Sequence, residues 1–368
     1  MATFKKLKGA RYRQASLLLA VVFIITLLQP APLLITPGPQ QTVYSEHPIV
    51  GVHTRLTDEV EEWKIQRSLE MVREMGGSWI VELFPWAYYQ GEDGRIAWHH
   101  PDQVIEHANA QGLKVIARIG LTPEWARLKD TPLNYLDEDA YDDFALFAAE
   151  FAQRYKGKVS HMIIGNEPNL SFEWGYRPTT AADYVKLLEV VYPAVKEANP
   201  EMIVLGGALA PTLEPKGSQW GTNDLVYLTE MYEAGAANYM DGLAVHSYGL
   251  TFPADAEPDP NILNFRRVEL VRAVMEQHGD SEAKIYITET GWNDHPRWTM
   301  AVRPGQRIQN TIDALTYAEE NWPYVEMMGL WVFRFPAPTK SFMDYYTFVT
   351  PEFIEKPIYT AVQEYTGN

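Results

Sequence analysis

The chain has 368 residues, and none of them is a cysteine. This absence excludes disulfide bonds, metal sites built on thiolates and catalysis by a cysteine nucleophile. It does not argue against export from the cell. With 46% hydrophobic and 12% aromatic residues, a chain of this length can bury a core that needs no covalent cross-link.

Motifs of several enzyme classes are missing as well. The sequence has no glycine-rich phosphate loop and no serine at a nucleophile elbow. His99 and His100 stand side by side with Asp102 close by, but no His-x-x-x-His pair or comparable ligand set accompanies them. We therefore predict a loop with solvated histidines at this point, no metal site, and no cofactor in the chain.

Basic residues are scarce in most of the chain. Five basic residues and one acidic residue lie before position 48, and taking them from the totals of 31 and 48 leaves 26 basic and 47 acidic residues. Residues 48–368 thus carry a formal charge of −21. Such a charge argues against nucleic acid and anionic lipid as partners and fits a soluble domain that acts on a neutral polymer.

The basic residues near the N-terminus precede an uncharged apolar run from Ala15 to Ile35. This order is typical of a secretory signal peptide or of a membrane anchor whose basic end stays in the cytoplasm. The run is nearly long enough to span a bilayer and no clear cleavage site follows it, which slightly favours the anchor. We predict a signal peptide or anchor over residues 1–35, a linker over 36–47 and one domain over 48–368. That domain would be extracellular or held at the outer face of the cytoplasmic membrane, with membrane contact only through the N-terminal segment.

Short apolar runs, separated by helical patterns, recur along residues 48–368. One helical pattern carries aromatic residues from Phe144 to Tyr155 on one face, which predicts packing against a sheet. Eight strand–helix units predict an α/β protein with a single (β/α)8 TIM barrel, and a doubly wound open sheet is the weaker alternative. The predicted strands are Ile49–His53, Trp79–Phe84, Lys114–Gly120, His161–Gly165, Met202–Gly206, Gly242–His246, Lys284–Glu289 and Met328–Phe333.

The fourth predicted strand ends in Gly165–Pro168, and a barrel places its chemistry at such carboxyl-terminal strand ends. In a regular strand Asn166 and Glu167 would point to opposite faces, so both reach one pocket only if the strand end is irregular. Pro168 favours this, because it disfavours the α region for the preceding residue. We predict that Asn166 donates to a sugar hydroxyl and that Glu167 reaches the glycosidic oxygen. A capping or loop Asn-Glu pair is the structural alternative.

The seventh predicted strand ends in Glu289. Strict alternation places Ile285, Ile287 and Glu289 on one face, so we predict that the carboxylate caps an inward apolar column. A buried carboxylate is costly unless it is paired or used, and Arg118 on the third strand is a candidate partner. Two carboxylates at the ends of separate strands, Glu167 and Glu289, suggest the acid and the nucleophile of glycoside cleavage.

Other strand ends add polar and aromatic groups that suit a sugar. A phenol at Tyr248 would hydrogen-bond the nucleophile and keep it ionised, and His246 would bind a hydroxyl or tune the acid, with a structural histidine as the alternative. Trp331 on strand eight is the best placed sugar platform. Glu82 and Arg118 could instead form an ion pair inside the barrel. Further candidates for substrate binding are His53, Trp86, Arg118 and Trp292.

Together these segments resemble the clan A glycoside hydrolases, (β/α)8 barrels with an Asn-Glu acid/base on strand four and a glutamate nucleophile on strand seven. The resemblance covers residues 48–368. The segments 165–168 and 246–248 are similar to those of family 39 β-xylosidase-like and family 5 cellulase-like enzymes, and 288–292 also to family 17 β-1,3-glucanases. The resemblance implies retaining cleavage of β-glycosidic bonds in oligo- or polysaccharides. In this reaction Glu289 attacks the anomeric carbon, Glu167 acts as acid and then base, and Asn166 binds the 2-hydroxyl.

Two alternative functions accompany this hypothesis. The same barrel is a transglycosylase if an acceptor sugar outcompetes water for the glycosyl-enzyme. In a different class, it is a non-catalytic carbohydrate-binding barrel at the cell surface. The intact pair of glutamates argues against the second alternative, because binding alone does not require both.

Overall fold

A computed structural model describes residues 35–368, of which Pro37–Asn368 form one compact unit. Residues 1–34, which make up nearly all of the predicted signal peptide or anchor, lie outside the described residues. Within residues 35–368, no helix combines the length and the apolar character needed to cross a membrane.

Eight parallel strands close into a barrel in chain order, with β8 hydrogen-bonded to β1. This closure confirms the predicted TIM barrel and excludes the doubly wound open sheet. The strands are β1 Val50–His53, β2 Trp79–Pro85, β3 Lys114–Gly120, β4 His161–Ile164, β5 Ile203–Leu209, β6 Gly242–Tyr248, β7 Lys284–Gly291 and β8 Val325–Leu330.

Helices connect the strands around the outside of the barrel. The α-helices of residues 35–368 are α1 Glu62–Glu74, α2 Trp86–Tyr89, α3 His99–Ala110, α4 Tyr141–Arg154, α5 Ala181–Ala198, α6 Asp224–Glu233, α7 Arg267–Gln277, α8 Pro304–Asn321 and α9 Pro357–Tyr365. Short 3-10 helices lie at Leu56–Asp58, Glu124–Ala126, Glu138–Ala140, Ala236–Asn238 and Phe342–Tyr345.

All eight predicted strands are present, and the largest shift is in the eighth. β8 ends at Leu330, so Trp331 follows the strand instead of lying within it. The apolar run continues beyond the strand because Trp331, Val332 and Phe335 form a separate buried cluster. The sequence pattern therefore predicted correctly that these residues are buried, but it did not predict where the hydrogen bonding of β8 ends.

The prediction of a loop at His99 and His100 is wrong, although His99 is exposed as predicted. His99 and His100 open α3, and His100 Nε2 lies 3.1 Å from the carbonyl oxygen of Glu59. Asp102, one turn along, accepts two hydrogen bonds from the guanidinium of Arg154 at 2.8 and 2.5 Å. The side chains of His100 and Asp102 thus pair with the protein itself.

The barrel has two separate apolar layers. The larger layer fills the space between the strands and the helices, and it includes the aromatic face of α4, as predicted. The smaller layer fills the inside of the barrel because alternate residues of each strand point inward. Its members are Trp79, Val81, Ile116, Ile163, Leu205, Ala208, Ala244, Tyr286 and Met327.

The predicted linker has no regular secondary structure but is packed on the barrel. The amide of Gln41 donates to the carbonyl of Ala110 at 2.6 Å, and the ring of His47 stacks on that of Tyr365 at 3.9 Å. Gly112 permits this contact, because a Cβ at that position would lie 2.8 Å from the carbonyl oxygen of Gln41.

Candidate active site

Polar side chains converge at the carboxyl-terminal ends of β3, β4, β6 and β7. One oxygen of Glu167, one oxygen of Glu289 and one ring nitrogen of His246 all lie within 4.8 Å of one another. The two glutamates that the sequence analysis singled out are 122 positions apart in the chain. The structure brings them together in space.

The end of β4 is irregular, and this irregularity turns Asn166 and Glu167 to the same side. Gly165 has φ of 77° and Glu167 has φ of 43°, both in the left-handed region. The amide of Glu167 donates to the carbonyl of Ala208 on β5 at 3.1 Å, which fixes the bend. Glu167 is outside the right-handed α region, as predicted before Pro168, and it adopts the left-handed conformation.

Glu289 reaches the pocket through a bulge in β7, and the predicted alternation is wrong. Ile285 and Ile287 face the helices, whereas Tyr286 faces the inside of the barrel. A regular strand would therefore turn Glu289 outward with the isoleucines. Instead, Val245 of β6 pairs with Ile287 and the next residue, His246, pairs with Glu289. The extra residue in β7 reverses the alternation and turns the carboxylate inward.

The Glu289 carboxylate is buried, with 6% of the residue exposed, and each of its oxygens accepts a hydrogen bond. Arg118 Nη1 donates to Oε1 at 2.9 Å, and the Tyr248 hydroxyl donates to Oε2 at 2.7 Å. The cation compensates the buried charge, and the two donors fix the orientation of the carboxylate. Arg118 Nη1 also donates to Asn166 Oδ1 at 2.6 Å, so one guanidinium positions both residues.

His246 bridges the two carboxylates. Its Nδ1 lies 2.7 Å from Glu167 Oε1 and 3.6 Å from Glu289 Oε2. Burial by itself would lower the pKa of His246, but the charge of Glu289 and the hydrogen bond to Glu167 outweigh burial, so the pKa is raised. The imidazole and Glu167 can therefore share a proton across their hydrogen bond.

Two further predicted residues surround Glu289. Burial and the Glu289 charge raise the pKa of Tyr248 well above its ordinary value, so the phenol stays a donor. His53 Nε2 lies 3.7 Å from Glu289 Oε1, and burial together with the charge of Arg118 lowers the pKa of His53 well below its ordinary value. The ring of Trp331 packs edge-on against that of His53, with centroids 4.5 Å apart.

Two tryptophans predicted to bind substrate belong to the core instead. Trp86 is fully buried, and its ring packs against Phe144 and Phe147 of α4. Trp292 is 2% exposed and donates from Nε1 to the carbonyl of Phe252 at 2.7 Å. Because both rings are buried, neither presents a face to a ligand. The prediction failed because a position next to a strand end does not determine which way a large side chain turns.

Glu82 and Arg118 do not pair with each other. Glu82 accepts from the backbone amides of Leu56 and Thr57 at 2.9 and 3.0 Å and so satisfies the start of a 3-10 helix. Since Arg118 faces inward and Glu82 faces the helices, β2 and β3 place the two side chains on opposite sides of the sheet. This leaves Arg118 for Glu289.

The sequence analysis missed Glu173, a third carboxyl near the site. It lies on the loop after β4, half-buried beside Arg118 and Asn166. Burial and the charge of Glu167 raise the pKa of Glu173, against the opposing charge of Arg118 and a hydrogen bond from Asn166. The only signal in the sequence was an acidic residue between two aromatic residues, Phe172 and Trp174.

The three converging side chains Glu167, His246 and Glu289 also have the donor types of a metal site. However, Arg118 lies 2.9 Å from Glu289 and already supplies a positive charge there. A second cation at the same carboxylate would be repelled by the guanidinium. The arrangement instead suits proton transfer by one glutamate and nucleophilic attack by the other.

Comparison with protein families gives a match over most of the chain. The sequence profile of the cellulase family, glycosyl hydrolase family 5, matches residues 55–324. No curated protein sequence matches the chain.

Solved structures with the same fold come from several related families. A family 39 glycoside hydrolase from Bacteroides cellulosilyticus superposes with a TM-score of 0.68 at 19% identity, covering 89% of this chain and 65% of that one. A monomeric β-xylosidase from Caulobacter crescentus gives 0.61 at 19% identity, covering 88% and 69%. The GH5_18 protein from Streptomyces cattleya, in complex with GlcNAc, gives 0.64 at 17% identity, covering 89% and 80%. At these identities the likeness concerns the fold.

Proposed function

Because the chain belongs to the cellulase family of glycosyl hydrolases, family 5, and is thus a retaining glycosidase, we propose that it cleaves β-glycosidic bonds in oligo- or polysaccharides. Glu289 is the nucleophile and Glu167 is the acid/base. The β-configuration is supported by the β-xylosidase among the structures with the same fold.

The observation that carries this assignment is the separation of the two carboxylates. An oxygen of Glu167 and an oxygen of Glu289 lie within 4.8 Å of each other. Retaining glycosidases hold their two carboxyl groups about 5–5.5 Å apart, whereas inverting enzymes need about 6.5–9.5 Å to admit a water molecule between them. The short distance supports direct attack by Glu289 on the sugar.

In the first step Glu289 attacks the anomeric carbon while Glu167 gives a proton to the leaving oxygen. Arg118 and Tyr248 hold the attacking carboxylate in one orientation, which lowers the entropic cost of attack. The proton shared between Glu167 and His246 supplies the acid. The bond from Glu289 to the sugar forms as the bond to the leaving oxygen breaks.

In the second step water hydrolyses the glycosyl-enzyme. Glu167 has given up its proton and now takes one from the water, whose oxygen attacks the anomeric carbon and releases Glu289. Asn166, fixed by Arg118, is placed to bind the 2-hydroxyl of the same ring. Trp331 is 8% exposed and packs against His53 beside Glu289, and the exposed edge of its ring would contact the apolar face of the sugar.

We also propose that the domain works outside the cytoplasm. The support comes from the order of basic and apolar residues at the N-terminus and from the charge of −21 over residues 48–368. A fusion of the first 47 residues to a reporter enzyme that is active only after export would test this. A reporter that stays inactive in the cytoplasm contradicts the proposal.

The catalytic assignment is tested with the full-length protein on a panel of aryl β-glycosides, β-glucans, xylan and mannan. Glu289→Gln and Glu167→Gln should both abolish turnover of the substrate that the parent protein cleaves. Proton NMR of the first product should show the β-anomer, because two displacements preserve configuration. Activity that survives in Glu289→Gln contradicts the nucleophile, and an α-anomer contradicts retention. Binding of an oligosaccharide without turnover would favour the non-catalytic barrel.

A further inference from the structure

A cavity of about 260 Å³ opens next to the carboxylate site, at the ends of β3 and β4 and under the loops that follow them. Arg118 and Asn166, which are hydrogen-bonded to each other, line one side of it. Glu173 and Trp174 of the β4 loop line another side. The proposed reaction does not use this space.

Two buried N–H groups on the cavity wall have no hydrogen-bond partner among the described protein residues. They are Arg118 Nε and Trp174 Nε1, from residues that are 6% and 4% exposed. A buried donor without a partner costs about 1–3 kcal/mol. Together with the Glu173 carboxyl, these donors make the cavity suited to a ligand that has several oxygen atoms.

The charges around the cavity are balanced. Arg118 is paired with Glu289 at 2.9 Å, and Arg55, also on the wall, is paired with Asp58. Burial raises the pKa of Glu173, whose carboxyl lies beside Arg118. Since both arginines of the wall are already paired, neither is free to attract an anion, and the cavity favours a neutral ligand.

The wall also contains apolar side chains. Leu83, Leu136, Phe144 and Leu187 line the cavity together with the polar residues Thr122 and Asn134. A wall that combines polar and apolar side chains matches a sugar, which has hydroxyl groups around its ring and C–H groups on its faces. The volume is just below the roughly 300–1,000 Å³ of pockets for drug-sized ligands, which is suitable for one sugar unit.

We propose that this cavity binds a single neutral sugar attached to O2 of the ring whose glycosidic bond is cleaved, so that the enzyme prefers a branched glycan. The inference rests on the proposed function, in which Asn166 contacts the 2-hydroxyl of that ring. Asn166 Oδ1 accepts from Arg118 and one of the two Nδ2 hydrogens is given to Glu173, so the second Nδ2 hydrogen remains to donate to O2. A branch at O2 then leads directly from Asn166 into the cavity.

The test compares two substrates with the full-length protein. One is the aryl β-glycoside that the parent protein cleaves fastest, and the other is the same compound with one neutral sugar at O2. The parent should cleave the branched compound with a kcat/KM about tenfold higher or more, the gain expected from about 1.4 kcal/mol of added binding. The variant Leu136→Phe, which fills the cavity, should reduce this branched-to-unbranched ratio at least tenfold.

Leu133→Phe provides the matched control, because Leu133 lies on the same loop but is exposed and does not line the cavity. It should leave the ratio unchanged. Glu173→Leu is the second variant, in case Leu136→Phe does not fold, and it should also lower the ratio. An effect of Glu173 that acts only through Asn166 would change both substrates equally and leave the ratio as it was.

The outcomes separate this inference from the proposed function. If the parent cleaves the unbranched glycoside and Glu289→Gln abolishes that activity, the proposed function holds whatever happens with the branched compound. A branched compound that is cleaved no faster, or a Leu136→Phe variant with an unchanged ratio, then overturns the cavity proposal alone. A parent that cleaves neither compound, nor any other member of the panel, contradicts the proposed function itself.

Discussion

The two ends of the barrel interior each hold a histidine beside a tyrosine. The pKa of the histidine is lowered at one end and raised at the other. At the amino-terminal end, His161 Nε2 lies 3.2 Å from the Tyr286 hydroxyl, and the ring of Trp79 packs edge-on against the imidazole at 5.3 Å. At the carboxyl-terminal end, His246 and Tyr248 lie two residues apart on β6, and both are oriented toward glutamates.

The difference comes from the charged neighbours of each histidine. Burial and the positive charge of Lys114 lower the pKa of His161 to about 4. Burial also acts to lower the pKa of His246, but the carboxylates of Glu289 and Glu167 reverse the effect. Burial therefore lowers the pKa of the histidine at one end of the barrel, whereas at the other end two carboxylates raise it, which supports the proposed proton sharing with Glu167. The carboxylates of Glu289 and Glu167 account for this difference in pKa.

The largest expected difference between the two ends is in catalysis. Glu289→Gln should lower kcat by about 10⁴-fold or more, because the variant cannot form the covalent intermediate. At the other end, His161→Gln should leave kcat/KM within about twofold, since distant sites act independently. Steady-state kinetics on the best aryl glycoside checks both variants. A large loss in His161→Gln, with the fold intact by circular dichroism, would contradict the division of roles.

The second largest difference is expected between the tyrosines Tyr248 and Tyr286, whose removal should affect kcat unequally. Tyr248→Phe removes a hydrogen bond to the charged Glu289, and since such bonds are worth about 1.5–3 kcal/mol, kcat should fall roughly 10–100-fold. Tyr286→Phe removes the hydroxyl beside His161, whose partner is an imidazole and not a carboxylate, and kcat should not change. The comparison fails if both variants lose activity to the same extent.

Acid should act on the amino-terminal end through His161. Its folded pKa of about 4 lies below its unfolded value, so the unfolded state binds more protons as the pH falls from about 6.5 toward 4, and the folded state loses stability in that window. Between pH 7 and pH 5 the contribution amounts to about 1–2 kcal/mol. Urea denaturation of the parent and of His161→Phe should show this loss in the parent and a smaller loss in the variant. Equal losses in the two proteins would mean that His161 does not titrate as described.

Alkali should act on the carboxyl-terminal end through His246. Because the pKa of His246 is raised above its ordinary value of 6.5, the proton shared with Glu167 is present below that raised pKa and is lost as the pH rises through it. The alkaline limb of kcat/KM should therefore lie above pH 6.5, and it should be the same in His161→Phe. A limb below pH 6.5 would exclude this role of the His246–Glu167 pair.

The sequence was sufficient to predict the barrel and the convergence of Glu167 and Glu289 at one end of it. Eight apolar runs alternating with helical patterns have few compact arrangements other than a barrel, and parallel strands place their carboxyl-terminal ends together. Glu167 and Glu289 were detectable because a carboxylate after a buried strand is costly unless it is used. Both observations depend on the chemistry of single segments.

Orientation of individual side chains was less predictable. Trp86 and Trp292 lie beside strand ends as expected, but both rings turn into the core, because filling space there buries a large apolar surface. Glu173 gave almost no signal, since its position near Asn166 depends on the path of the loop after β4. A pattern along one segment does not contain the neighbours from other segments that decide such cases.

What the sequence by itself determined is which segments form the strands and what chemistry the residues near their carboxyl-terminal ends can do. What only the tertiary structure decided is which way they face. The alternation within β7 alone would turn Glu289 outward with Ile285 and Ile287, and the bulge that turns it inward arises from the pairing with β6, where His246 lies opposite Glu289. Inside the barrel, Arg118 from β3 and both His246 and Tyr248 from β6 meet that carboxylate. Their contact depends on closure of the barrel, which no local sequence pattern encodes.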